Sequence, residues 1–155
     1  MKKFVLLIIC FFVLLTLSGC ALTNPQVQEI ISQKIGTFTV NNQTFKVEIA
    51  DSPLEHYQGL SRRQSLAEDA GMLFVFDDYA VQYFIMREMN FPLDIIWIRD
   101  DSVVGCEKNV PILNIYGENS QVNSTFPVNY VLEVNAGICD KYNIKTGDFV
   151  DIYLE

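Results

Sequence analysis

The residues best suited to chemistry in this chain are Arg63, Arg87, Asp94 and Glu133. Arg87 and Asp94 lie within FIMREMNFPLDIIWI, residues 84 to 98. After Pro92, the residues Leu93, Ile95 and Trp97 fall on one face of an extended chain, and Asp94, Ile96 and Ile98 fall on the other. Both faces are apolar, so the strand is expected to be buried on both sides. A carboxylate at the start of such a strand is costly unless it is paired or hydrogen-bonded. Arg63 and Arg87 are its candidate partners. Such a group could orient a polar ligand in a pocket, or it could tie a loop to the strand. Glu133, inside VNYVLEV, poses the same problem. Two carboxylates could serve as acid and base, although no spacing in the sequence brings them together.

Most catalytic signatures are missing. His56 is the sole histidine, so a His-rich zinc site cannot be built, and there is no H-E-x-x-H, P-loop, G-x-G-x-x-G or G-x-S-x-G. Asp77-Asp78 and Asp100-Asp101 lack the calcium-loop pattern and read as acidic turns. No metal and no cofactor is expected.

Short strands and turns must position these residues. IGTFTV and QTFKVEIA flank Asn41-Asn42, a pair suited to a two-residue hairpin turn with positive φ. Ser52-Pro53-Leu54-Glu55 combines an N-cap serine, proline at the first helical position and the capping-box glutamate. The helix they open is expected to end near Arg62 or Arg63, with Leu54, Tyr57 and Leu60 at helical spacing. GMLFVF, YFIM, LDIIWI, VVGC, VNYVLEV and FVDIYL read as strands, with Asp77-Asp78 as punctuation after the first of them. Asn135-Ala136-Gly137 opens a second short helix to about Tyr142, and Asn109 to Pro127 reads as a long loop. The expected fold is mainly β, a β-rich α+β domain closed as a barrel or sandwich with two short helices.

The N-terminus reads as an address. Lys2 and Lys3 precede an apolar run from Phe4 to Leu17, then Ser18, Gly19 and Cys20. A spanning helix needs about 20 apolar residues; Phe4–Leu17 supplies 14, and extension through Leu22 reaches 19, so a retained span stays open beside simple secretion. Leu17-Ser18-Gly19-Cys20 resembles the bacterial lipobox, which implies cleavage before Cys20 and its acylation with palmitate-type chains. The expected organisation is a signal peptide over 1–19, a lipid-anchored tether over 20–33 and one domain over 34–155.

Cleavage there removes Lys2 and Lys3 from 11 Lys+Arg and leaves all 19 Asp+Glu, a net charge of −10. Nucleic acid is therefore not an expected partner. Of four cysteines, Cys10 leaves with the signal and Cys20 is the lipid site. Cys106 and Cys139 remain, as a disulfide outside the cytoplasm or as two buried thiols.

GLSRRQSLAEDAGMLFVF, FIMREMNFPLDIIWI and NYVLEVNAGICDKYNIKTGDFV, in this order, resemble the domain-of-unknown-function 192 family from about Phe45 to Ile152. The resemblance implies a compact β-rich domain, often exported or membrane-attached, and no established activity. Gly59-Leu60, Arg63 and Gly71-Met72-Leu73-Phe74 match family positions, as do Phe84, Met86, Pro92, Leu93 and Asp94, and Glu133, Gly137, Gly147 and Asp148. Arg87 stands where lysine is usual and Ile85 where tryptophan is usual; Glu88 and Met89 also depart from the pattern.

These readings converge on a lipid-anchored, extracytoplasmic module at the cell membrane that binds a small molecule or an envelope protein, through Arg63, Arg87, Asp94 and Glu133. One alternative is a hydrolase working through an Asp94–Glu133 carboxylate pair. The other is an accessory subunit of a membrane complex, touching its partner through Tyr79, Tyr116 and Phe126.

Overall fold

The computed structural model describes residues 33–155, which form one compact unit. The expected signal peptide, Cys10, Cys20 and all of the expected tether but its last residue lie outside the described residues. Among the described residues, no helix is long and apolar enough to cross a membrane.

Nine strands and two short helices make up the domain. The elements are β1 (Ile35–Val40), β2 (Gln43–Ala50), α1 (Pro53–Gln58), β3 (Ala70–Ala80), β4 (Tyr83–Ile85), β5 (Leu93–Arg99), β6 (Ser102–Val110), β7 (Gln121–Asn123), β8 (Val128–Asn135), α2 (Ile138–Lys141) and β9 (Val150–Leu154). Seven strands form one sheet in the order β6-β5-β8-β3-β2-β1-β9, with β2 and β3 parallel and all other neighbours antiparallel. The two edges approach each other at one end. Ser102 bridges Phe149, Val103 N–H donates to the Asp148 carbonyl at 2.9 Å, and Val150 N–H donates to the Asp101 carbonyl at 2.8 Å. This meeting curls the sheet into a partly closed barrel, which answers the edge-strand problem of an open sheet.

Local signals account for many of these elements. Asn41 and Asn42 adopt φ of 49° and 63° in the two-residue β1–β2 hairpin, the conformation their short polar side chains tolerate. Ser52 caps α1 with the full capping box expected of Ser52 and Glu55. The helix stops at Gln58, four residues earlier than the periodicity suggests. Gly59 ends it, at φ 49° and ψ −139°, a backbone setting that excludes a side chain. Leu54 and Tyr57 are 71% and 68% exposed, so only Leu60 of the three spaced apolar residues enters the core.

β3 continues through Asp77-Asp78 to Ala80, where the sequence suggested punctuation. The stretch from Asn109 to Pro127 also holds more order than a long loop. Its residues 121–123 form β7, which pairs with β4 in a separate two-stranded ribbon, and a tight turn closes over Asn114 to Glu118.

Each face of the main sheet carries its own core. Phe38, Phe45, Leu73, Ile96, Leu132 and Ile138 belong to one cluster. Leu60, Phe74, Ile95, Trp97, Val131 and Met86 belong to the other. β5 alternates between them and is buried from Leu93 through Ile98, as the two apolar faces of LDIIWI require.

Candidate functional site

The strand register decides which polar groups can meet. In the β5–β8 pair, Asp94 lies opposite Val134 and Ile95 lies opposite Glu133. Residues directly opposite share a face, and consecutive residues alternate. Asp94 therefore points with Ile96 and Val134 into the first cluster, and Glu133 points with Ile95 into the second. The two carboxylates occupy opposite faces of the sheet and cannot act as an acid–base pair.

Asp94 is fully buried, and backbone donors satisfy it. Oδ1 accepts from Asn109 N–H at 2.7 Å and Oδ2 accepts from Cys139 N–H at 2.7 Å. The expected arginine partners are engaged elsewhere. Arg63 makes a two-pronged ion pair with Glu48, and Arg87 lies with its guanidinium carbon 3.8 Å from the centre of the Tyr57 ring while Nη2 donates to the Tyr57 carbonyl at 2.5 Å. Two charge-assisted backbone bonds do for Asp94 what an arginine would have done. The carboxylate ties β5 to the end of β6 and to α2. Beside it the Cys106 and Cys139 sulfurs are joined at 2.10 Å, linking β6 to α2 across 33 residues.

The other face of the sheet holds a cavity of about 260 Å³. Glu133 contributes to its wall, with α1 and Gly59 on one side and the β4 segment on the other. Phe74, Phe76 and Phe84 supply aromatic surface, with Phe74 and Phe84 edge-to-face at 4.8 Å. Behind Phe84 stands Trp97 at 5.6 Å. His56 is held in place as its Nε2 bridges the carbonyls of Ala50 at 3.0 Å and Val75 at 3.1 Å, acting as a shared donor. Gly59 packs beside Phe74 at this space, whereas Gly71 lets β3 and β8 approach closely on the opposite face, beside Leu132 and Val134. A Cβ on Gly59 would meet Phe74 at 3.4 Å, and one on Gly71 would stand 2.9 Å from the Glu133 carbonyl oxygen.

Glu133 is the unusual group here. Only 7% of it is exposed, and its Oε2 has no hydrogen-bond partner. Burial pushes its pKa from 4.5 up to about 8, and the nearby Arg63 charge opposes this only in part. A carboxyl that is buried, unpartnered and close to neutrality in its proton affinity can donate or accept a proton, or pair with an incoming donor.

Of the four candidate residues, the cavity unites Arg87 and Glu133. Arg63 stays close enough to influence Glu133 while bonded to Glu48, and Asp94 lies on the far face. No sequence signal pointed to the parts played by Glu48, His56, Phe74, Phe76 and Phe84. Glu48 lies between the buried Val47 and Ile49 on the interior strand β2, and the long Arg63 side chain meets it there. The departures from the family pattern at Ile85, Arg87 and Met89 all fall on the cavity wall. Tyr79 is taken up by a hydrogen bond to Asp100 and by the Arg99 guanidinium 5.4 Å above its ring, while Tyr116 and Phe126 stand 80% and 57% exposed.

Fold and site together define a curled β-sheet domain with an acid-walled aromatic cavity. The chain belongs to the DUF192 family, described as "Uncharacterized ACR", whose model matches residues 36–152. Among solved structures it is similar to a protein of unknown function from Novosphingobium aromaticivorans, at 28% identity and a TM-score of 0.65, over 76% of this chain and 83% of that one. It is also similar to a candidate transcription regulator from Sinorhizobium meliloti, at 29% identity and a TM-score of 0.65, over 77% of this chain and 92% of that one. No curated protein matches.

Proposed function

We propose that this protein is a lipid-anchored, extracytoplasmic module that binds a small molecule in the cavity walled by Glu133. One observation carries the binding reading. Glu133, a buried acid with one oxygen lacking a partner, lines a site rich in aromatic surface, and an unmet acceptor costs about 1–3 kcal/mol. A ligand that supplies the missing donor recovers that energy. Arg87, at the same wall, offers a second polar contact.

The anchor rests on Leu17-Ser18-Gly19-Cys20 and the apolar run before it. Acylation at Cys20 would hold the domain at the membrane surface and place Cys106 and Cys139 in an oxidising compartment. The hydrolase alternative loses its basis, since its two carboxylates point to opposite faces. Contact with an envelope protein is the second reading, supported by the exposure of Ile115 and Tyr116 at 91% and 80%. A role on nucleic acid, as in the description of the Sinorhizobium meliloti protein, sits poorly with the net charge of −10 left after cleavage.

A thermal-shift screen of the purified chain against amines, sugars, peptides and nucleotides tests the binding reading, with Glu133→Gln in parallel. A ligand at 100 times its Kd adds about 2.7 kcal/mol; a shift seen in the wild type and lost in the variant supports the site, and a shift retained in the variant moves the site elsewhere. Membrane fractionation of wild type and Cys20→Ser tests the anchor. Equal partition of both into membranes would refute it.

A further inference from the structure

On the reading of the cavity as a ligand site, we infer that its ligand is an organic cation: a protonated amine on an apolar body. The polarity of the cavity points one way. Its buried ionisable group is Glu133, whose Oε2 has no partner, and two of the donors at the cavity wall are already engaged. The His56 Nε2–H serves two carbonyls, and the Ser61 hydroxyl donates to the Arg87 carbonyl at 3.0 Å. Neither nearby cation bonds Glu133: Arg63 pairs with Glu48, and Arg87 engages the ring and carbonyl of Tyr57. The protein thus leaves Glu133 without a cation of its own while keeping an acceptor in place.

The remaining wall suits a positive charge as well. Phe74, Phe76 and Phe84 present aromatic carbon around the acid, and the negative faces of such rings attract ammonium groups. The excess of acidic over basic residues favours the approach of cations over anions. A volume of about 260 Å³ accepts a small aromatic or aliphatic amine.

Binding then has a defined proton balance. The Glu133 carboxyl gives up its proton to solvent, and the resulting carboxylate pairs with the ligand ammonium, which keeps its own. With the carboxyl titrating at about 8 in the free protein, about 0.9 proton is released per amine bound at pH 7. A neutral donor such as a hydroxyl would release none, because it leaves the carboxyl protonated.

Calorimetry of the purified chain at pH 7 with benzylammonium, benzyl alcohol and benzoate, in two buffers of different ionisation enthalpy, tests this. Benzylammonium should bind on the order of tenfold more tightly than benzyl alcohol, benzoate should give no heat, and the amine should release close to one proton. Glu133→Gln should weaken the amine by a similar factor and abolish the proton release. The proton count is read on the wild type, so it does not depend on the variant folding. Equal or tighter binding of the alcohol, binding of benzoate, or amine binding without proton release would overturn the cation assignment while leaving the ligand site in place. No heat from any of the three at millimolar concentrations would overturn the site itself, and the assignment with it.

Discussion

The buried carboxyl of Glu133 makes stability fall as pH rises. Desolvation raises its pKa from 4.5 to about 8, with Arg63 opposing in part. A carboxyl raised in this way holds its proton more tightly in the folded chain than in the unfolded one. Its favourable contribution is complete below 4.5 and is lost as pH climbs through 8. At 1.36 kcal/mol per pKa unit, the loss between pH 5.5 and 7.5 is about 2.5 kcal/mol. In a domain of this size that corresponds to roughly 10 °C in Tm. Glu133→Gln keeps the shape and removes the titration. The stability of the variant relative to wild type should therefore rise by about 2.5 kcal/mol over that interval. Urea unfolding followed by the fluorescence of Trp97, the sole tryptophan, reads both chains under identical conditions. Taking the difference cancels the titration of the other groups. Two stability curves that stay parallel within about 0.5 kcal/mol across this range would refute the claim that Glu133 is desolvated.

Three further changes follow from the architecture. Asp94→Asn replaces a two-sided acceptor with an amide that can satisfy only one of the Asn109 and Cys139 N–H groups; a loss of about 2–4 kcal/mol is expected in the urea midpoint, with ligand binding at the cavity unchanged. Removing the Cys106–Cys139 bridge by a double serine substitution frees a loop spanning 33 residues and should cost about 3–4 kcal/mol, measured by the same unfolding. Ser52→Ala removes the α1 cap and should cost about 1 kcal/mol; because α1 forms one wall of the cavity, it should also weaken any ligand bound there, as read by calorimetry.

Much of the fold was legible in local patterns, because strands and turns respond to near neighbours. The period of two in Phe45, Val47 and Ile49 is enough to choose a buried face, and Ser52-Pro53-Leu54-Glu55 carries its own cap. β7 was invisible for the opposite reason. Three residues hold too little periodicity to announce a strand, and only pairing with β4 makes one. The sequence also marked Asp94 and Glu133 as carboxyls in apolar company, and it raised the option that Asp94 fastens a loop.

What only the tertiary structure decided was their separation and their environments. A register that sets Ile95 against Glu133, and so Asp94 against Val134, sends the two acids to opposite faces. The donors that satisfy Asp94 come from residues 15 and 45 positions away, and the Glu48 that claims Arg63 also lies 15 away. Composition and spacing name the charged groups, but whether each one is paired, buried or open to a ligand depends on which distant backbone and side chains the sheet brings against it.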